Sequence, residues 1–292
     1  MVRLTVLALA FLASTVRAAP PGELLVHDEK SQPESLTLRP DGALIVGSAG
    51  SPFVYLVRKG AAAAEPLVDA SAEGPGTFFF GQLADPATGT LWTCQLTPVP
   101  RTTPVARHSV LRGFDLESGK EKQRWTLPGD NNVCNDMTVG PDRALYISDT
   151  IGAKIYRLPA GAPAPELFLE NRVLTGVDGI TFLDGALYVT NVFFNKLYRI
   201  PIDASGKAGI PVDIWMDAPV KGPDGMRAAG GRLLLAENGA GKIDVLTITG
   251  DVAHIRVIAD GLKTPTAVEP FGDRVWFTER ATGKVRSIPI PK

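Results

Sequence analysis

The chain has 292 residues, of which 45% are hydrophobic, and a formal net charge of −1. This length allows one large repeat domain or two ordinary domains, each with a substantial core. The nearly balanced charge gives no electrostatic basis for binding nucleic acid, so we expect no nucleic-acid partner.

The first 19 residues have the pattern of a secretory signal peptide. Arg3 forms a short basic region, residues 4–12 are apolar, and Ala18 and Ala19 offer a small-residue cleavage site. A membrane anchor is the alternative, but the apolar run is too short to span comfortably and two prolines follow it. We predict cleavage after Ala18 or Ala19, a secreted or periplasmic location without membrane insertion, and a single domain over residues 20–292.

A unit of short strands then repeats six times along the chain. Each unit has an apolar strand, a turn and a second apolar strand, and the position before the first strand recurs every 42–54 residues. A third alternating segment follows in every unit, and a fourth follows in five of them. Such a period is typical of a β-propeller. The sequence therefore predicts an all-β, six-bladed β-propeller with four-stranded blades, whose units begin at Pro33, Phe80, Cys134, Val177, Pro223 and Pro265.

The sixth unit has only three predicted strands. Residues 23–26 form an apolar strand near the mature N-terminus and are free to supply the fourth. This pairing would close the ring and remove two exposed sheet edges.

The second unit differs from the others by a long insertion, residues 97–109, which contains Arg101 and His108. Loops on this rim surround the mouth of a propeller channel. The insertion is therefore either a lid that brings Arg101 and His108 to the substrate or a loop without a functional role.

The two cysteines fall on the same rim of neighbouring units. Cys94 ends the second strand of unit two, and Cys134 directly precedes the first strand of unit three. In an exported chain this placement favours a disulfide, with two buried thiols as the alternative.

The position before the first strand carries most of the functional signal. Since the first strand of a propeller blade is the innermost, polar residues at this position would converge on the channel. Three carboxylates and an amide repel one another unless a cation lies between them, and hard oxygen ligands suit Ca²⁺ first, with Mg²⁺, Mn²⁺ or Zn²⁺ as alternatives. The alternative is that these are ordinary turn residues before glycine. The predicted metal ligands are Glu34, Asn135, Asp178 and Asp224; Gly81 and Thr266 occupy the position in the other two units.

The order of these motifs resembles the regucalcin (senescence marker protein)/gluconolactonase family. The resemblance extends from about Pro33 to the C-terminus, and its most specific piece is Pro223-Asp224-Gly225-Met226. It implies a six-bladed propeller with one divalent metal in the channel and hydrolysis of sugar lactones. Paraoxonases and diisopropyl fluorophosphatase are similar at a greater distance.

The resemblance also suggests individual roles. Glu34, Asn135 and Asp224 match metal ligands of the family, and Asp224 matches its catalytic acid/base as well. Asp178 stands where the family usually has asparagine, which adds negative charge to the site.

We therefore expect an exported, monomeric, metal-dependent hydrolase of a small lactone or related ester. Phe193 and Phe194, adjacent in a polar loop, predict an apolar wall of the substrate site. The alternatives are a non-catalytic propeller with a structural metal that serves as a binding scaffold, or a phosphotriesterase or lyase on the same metal floor. Further rim candidates, each with a solvated loop as the alternative, are Glu237, Asn238, Glu279 and Arg280.

Overall fold

A computed structural model describes residues 22–27, 30–98, 109–129 and 131–292. The predicted signal peptide and the candidate residues Arg101 and His108 lie outside these ranges. The described residues form β-strands and three short 3-10 helices, Ser71–Glu73, Arg172–Leu174 and Arg280–Thr282. None of the helices in this part of the chain has the length and apolarity that crossing a membrane requires.

The first part of the chain forms three antiparallel sheets of four consecutive strands each, preceded by the short strand β1 (Glu23–Leu25). The first sheet contains β2 (Pro33–Leu38), β3 (Leu44–Ser48), β4 (Phe53–Val57) and β5 (Glu65–Asp69). The second contains β6 (Phe78–Asp85), β7 (Thr90–Leu96), β8 (Ser109–Asp115) and β9 (Glu121–Thr126). The third contains β10 (Cys134–Val139), β11 (Leu145–Asp149), β12 (Lys154–Leu158) and β13 (Glu166–Glu170).

The next eight strands form one sheet with two antiparallel halves. One half contains β14 (Val177–Leu183), β15 (Ala186–Asn191), β16 (Lys196–Ile200) and β17 (Val212–Met216). The other contains β18 (Pro223–Ala229), β19 (Arg232–Glu237), β20 (Lys242–Thr249) and β21 (Val252–Ala259). The outermost strands join the halves, because β17 pairs in parallel with β21 through Trp215 opposite Val252 and Met216 opposite Ala253.

The last sheet brings the two ends of the described chain together. It contains β22 (Val268–Phe271), β23 (Arg274–Glu279) and β24 (Lys284–Pro289), and β1 adds to β24 as the fourth strand. In this pairing Glu23 lies opposite Arg286, and the Glu23 carboxylate accepts a 2.6 Å hydrogen bond from Lys284 Nζ. The prediction that the N-terminal strand completes the last sheet is confirmed.

The first strands of the units lie together at the centre of the molecule. β2, β6, β10, β14, β18 and β22 each contact the next in this order, and β22 contacts β2. Apolar cores fill the spaces between neighbouring units, and the core between the last and first units contains Leu24, Leu36 and Trp276. The central strand β2 is buried along its whole length, whereas the outer strand β9 is largely exposed. The all-β prediction is confirmed, and the first strands surround a common centre.

A disulfide joins Cys94 on β7 to Cys134 on β10, with their Cα atoms 5.3 Å apart. The bond ties the second sheet to the third at the rim where β10 begins. It links residues 40 positions apart and therefore restricts the unfolded chain substantially.

We expect a Cys94→Ala/Cys134→Ala variant to lose about 2–4 kcal/mol of its free energy of unfolding, because the unfolded chain regains the freedom that the bond removes. Urea denaturation of oxidised wild type and variant measures the difference. Wild type unfolded with a reductant is the control and should approach the variant. Equal midpoints for oxidised wild type and variant would contradict this expectation.

Candidate functional site

A pocket lies at the centre of the ring of first strands, on the rim where those strands begin. All six residues at the repeated position before the first strand line it: Glu34, Gly81, Asn135, Asp178, Asp224 and Thr266. The four polar residues predicted to bind a metal are each less than 10% exposed. Residues far apart in sequence are thus brought together in one buried site.

β-bulges place the lining residues in this pocket. The pairing of first and second strands shifts register at this point in the first sheet, the second, the third and both halves of the eight-stranded sheet. A bulge interrupts the regular alternation of side chains between the two faces of a sheet and changes the direction in which they point. Residues at the bulge can therefore point toward the centre even though they belong to a sheet ladder.

Hydroxyl groups from one unit fix the backbone at the bulge of the next. Each hydroxyl donates a hydrogen bond to the backbone carbonyl oxygen of a lining residue. This bond fixes the backbone that carries the lining side chain. These bonds join Ser148 Oγ to Asp178 O (2.7 Å), Thr190 Oγ1 to Asp224 O (2.8 Å) and Thr266 Oγ1 to Glu34 O (2.6 Å).

Glycine is required where neighbouring first strands approach most closely. A Cβ atom on Gly81 would collide with the carbonyl oxygen of Asn135, and one on Gly179 would lie 2.5 Å from the carbonyl oxygen of Asp224. Contacts this short between a Cβ and a backbone oxygen force the backbone apart. Hence Gly81 contributes no side chain to the pocket, and the polar lining comes from the remaining units.

Hydrogen bonds connect the polar side chains of the pocket. Asn135 donates from Nδ2 to Asp178 Oδ2 (2.9 Å) and to Thr150 Oγ1 (2.9 Å). Asn238, at the end of the adjoining β19, donates from Nδ2 to Asp224 Oδ2 (3.0 Å). Asn238, which the sequence suggested only as a rim residue, thus contacts the predicted acid/base directly.

The three carboxyls at the repeated position, Glu34, Asp178 and Asp224, all have raised pKa values, and burial is the largest cause for each. Burial and the nearby Asp224 raise the pKa of Glu34 well above its usual range, and burial together with Asp224 and Glu34 does the same for Asp178. The pKa of Asp224 is raised to about 7, since burial outweighs the opposing effects of Asn238, Asp178 and Arg280. Without a cation, the site therefore resists holding three ionised carboxylates.

A buried ion-pair network, of which Asp136 and Arg227 line the pocket, was not predicted. Arg227 on β18 donates from both Nη atoms to the carboxylate of Asp136 on β10, at 2.7 and 2.9 Å, and from Nε to Glu269 on β22 at 3.1 Å. Burial raises the pKa of Glu269 to about 7, with Arg227 acting in the opposite direction. Arg227 therefore pairs with one pocket acid, Asp136, and with Glu269, rather than with the three carboxyls of the repeated position. The polar pair Asn135-Asp136 at the start of a buried strand indicates a buried carboxylate, but it does not identify Arg227 as its partner.

The oxygen donors of the repeated position suit a hard divalent cation, and no thiol or imidazole of the described residues lines the pocket. The lining also contains the guanidinium of Arg227, which is paired with Asp136. No three His, Cys, Asp or Glu side chains in the described ranges are already arranged as a metal-ligand group. In addition, Asn135 turns its amide nitrogen, not its oxygen, toward Asp178.

Two of the rim candidates have structural roles. Glu237 accepts a 2.7 Å hydrogen bond from the backbone N–H of Lys221, and Glu279 accepts one of 2.8 Å from that of Lys263. Both glutamates are buried and hold the loop that leads into a first strand. In contrast, Arg280 is half-buried and lies close enough to lower the pKa values of Glu34 and Asp224, so it is a cationic group beside the pocket.

The two phenylalanines, Phe193 and Phe194, lie in the loop after β15 and are 53% and 60% exposed. The loop comes directly after β15, whose end pairs with the start of β14. Because the pocket lies where the first strands begin, the loop is on the pocket side of the molecule. Their role in substrate binding stays a prediction.

The chain matches no known family model, and no curated protein matches it in sequence. Many solved structures resemble it in fold. A gluconolactonase from Xanthomonas campestris is 18% identical, with a TM-score of 0.67 over 92% of this chain and 89% of that one. Virginiamycin B lyase from Staphylococcus aureus is 18% identical, with a TM-score of 0.64 over 92% and 98%. The PQQ-bound aldose sugar dehydrogenase from Streptomyces coelicolor is 16% identical, with a TM-score of 0.64 over 92% and 99%.

These comparisons show the fold, which is a β-propeller. The similar structures include a hydrolase, a lyase and a dehydrogenase, so the fold alone does not define the reaction. Any assignment of activity has to come from the residues of the central pocket.

Proposed function

We propose that this chain is a metal-dependent hydrolase of lactones or related esters, built on a six-bladed propeller in which the eight-stranded sheet supplies two blades. The observation that carries the proposal is the buried cluster of Glu34, Asn135, Asp178 and Asp224 in one central pocket. Structural similarity to gluconolactonases supports it. The four side chains would hold one divalent cation, with Ca²⁺ as the first candidate.

A bound divalent cation would supply a Lewis acid that polarises the carbonyl group of the substrate. Asp224 accepts the proton of the attacking water and returns it to the alkoxide that leaves when the ring C–O bond breaks, so that lactone and water give a hydroxy acid. Asn238 orients Asp224 through the hydrogen bond to Oδ2. The four side chains are each less than 10% exposed, and their burial strengthens electrostatic interactions in the pocket.

We further propose that the protein acts as a monomer outside the cytoplasm. The basic and apolar pattern of the first 19 residues supports export. The Cys94–Cys134 disulfide also suits an oxidising compartment.

A lyase reaction on this fold is less well supported by the pocket. Replacing a histidine by alanine makes virginiamycin B lyase catalytically inactive. Among the described residues of this chain, no histidine lines the pocket. His27 stacks on Tyr55, and His254, on the exposed strand β21, pairs with Asp217. His108 lies outside the described ranges, so a His108→Ala variant with normal turnover would remove the remaining candidate.

The proposal is tested by measuring the metal content of purified protein and its turnover of lactones, aryl esters and organophosphates. We expect lactone hydrolysis that is lost after chelation and restored by one of Ca²⁺, Mg²⁺, Mn²⁺ or Zn²⁺. Hydrolysis that survives complete removal of metal would overturn the metal-dependent mechanism. Metal-loaded protein that turns over none of these substrates would favour the scaffold function.

A further inference from the structure

Apolar side chains are exposed on one side of the pocket mouth. Ile151 follows β11, Val173 precedes β14, and Phe193 and Phe194 follow β15; all four are between 40% and 60% exposed. We call these four residues the rim patch. Large apolar groups exposed together in adjoining loops are typical of a binding surface.

Hydrogen bonds connect the loops of the rim patch to one another and to a pocket residue. The N–H of Gly176 donates to Thr150 O (2.8 Å), and the carbonyl of Gly176 accepts from Val192 N (2.9 Å), so the three loops are joined at Gly176. Thr150 also accepts the 2.9 Å hydrogen bond from Asn135, a pocket residue. Ile151 and Phe193 are therefore each one residue away from this chain of contacts.

Asn191 holds the phenylalanine loop in place. Its side chain is fully buried, and its Oδ1 accepts from the backbone N–H groups of Phe193 (3.1 Å) and Phe194 (3.0 Å). Its Nδ2 donates to the carbonyls of Val173 (2.9 Å) and Thr175 (2.8 Å). The amide thus uses all of its donors and acceptors to fix the loops that carry three of the four patch residues. Loops whose backbone is fixed in this way lose little backbone entropy when a ligand binds.

We propose that the rim patch binds an alkyl or other apolar substituent of the substrate, so that the enzyme prefers lipophilic lactones or esters to polyhydroxylated sugar lactones. This inference rests on the proposed lactone or ester hydrolysis. The reacting carbonyl group enters the acidic pocket, and the substituent lies outward along Ile151, Val173, Phe193 and Phe194. A hydroxylated chain would gain little there, because the exposed groups of the patch offer no side-chain hydrogen bonds to it.

The test compares γ-lactones with alkyl side chains from ethyl to octyl, the unsubstituted γ-lactone and a polyhydroxylated sugar lactone. We expect kcat/KM to rise about twofold for each added methylene, less than the value for complete burial because the patch stays partly open. In Phe194→Ser the ratio of kcat/KM for the octyl lactone to that for the unsubstituted lactone should fall about tenfold. The matched control is Ile210→Ser, which removes an 82% exposed apolar side chain in the loop before β17 and should keep the wild-type ratio.

A binding measurement separates this inference from the proposed function. The probe is an octyl-substituted γ-lactam, which resists hydrolysis, titrated calorimetrically into wild type and both variants. If no lactone is turned over but the lactam binds wild type and Ile210→Ser at least about tenfold more tightly than Phe194→Ser, the proposed reaction fails and the apolar site stands. Three results would overturn the inference: the same octyl-to-unsubstituted ratio of kcat/KM in all three proteins, the same lactam affinity in all three, or a preference of the wild type for the sugar lactone over the alkyl lactones.

Discussion

Asp224→Asn is expected to reduce kcat/KM for lactone hydrolysis by about a thousandfold, within the range measured for loss of a general acid or base. The asparagine side chain has nearly the same size as the aspartate that it replaces. Its amide oxygen can still accept the hydrogen bond from Asn238, but it cannot take a proton from water. It also removes one charge from the proposed ligand set. Steady-state kinetics with a saturating divalent cation measures the loss.

Unfolding is not expected to explain this loss of activity. Asp224 is buried, and its pKa is raised to about 7, so near pH 8 its ionisation costs stability in the absence of a cation. The neutral amide removes this cost, so the metal-free variant should be at least as stable as wild type. The matched control is Asp184→Asn, the same change in an exposed turn on the opposite rim, where a φ of 50° suits asparagine. Turnover by Asp224→Asn at the level of Asp184→Asn would remove the catalytic role.

The repeat made most of the fold predictable. The polar or glycine position before each first strand recurs along the sequence, and all six of these positions line the central pocket. Pairing of the N-terminal strand with the last sheet followed from the count of strands. Both inferences needed only local patterns and the rule that closed sheets avoid free edges.

The remaining features depend on contacts that no local pattern encodes. The pairing of Arg227 with Asp136 joins residues 91 positions apart, and neither residue belongs to the repeated position. Glu237 and Glu279 were suggested as rim candidates, yet they accept hydrogen bonds from loop backbone. The parallel pairing of β17 with β21, which merges two units into one sheet, was also absent from the expectation of separate blades. The Arg227–Asp136 and β17–β21 pairings depend on how different units meet, and the repeat within one sequence gives no information on that.

Removal of the divalent cation is expected to destabilise the protein much more at pH 8 than at pH 5. The unfolded pKa values of Asp and Glu are near 4, whereas burial and mutual repulsion raise the folded values of Glu34 and Asp178 well above normal and that of Asp224 to about 7. At pH values between the unfolded and the folded pKa values, the folded state binds more protons than the unfolded state. The free energy of unfolding therefore falls as pH rises through this range. For Asp224 alone the loss is on the order of 4 kcal/mol at pH 8. At pH 5 most of this cost is absent.

Thermal denaturation of chelated protein at both pH values, with and without added Ca²⁺, measures the effect. At one hundred times its Kd, a cation that binds only the folded state adds about 2.7 kcal/mol of stability. The gain should be larger at pH 8, because at pH 5 the cation has to displace protons from the same carboxyls.

A second buried acid supplies the control for this experiment. Asp244 lies outside the pocket lining, and burial, with the nearby Glu237, raises its pKa to about 8. Asp244→Asn should therefore flatten the pH dependence of the metal-free protein and leave the response to the cation intact, whereas Asp178→Asn should reduce both. If Ca²⁺ and the other candidate cations raise Tm equally at the two pH values, or if Asp178→Asn responds to them as wild type does, the pocket carboxylates do not bind the cation. Because the metal site and the catalytic base share Asp224, that result would also remove the electrostatic basis for hydrolysis in this pocket.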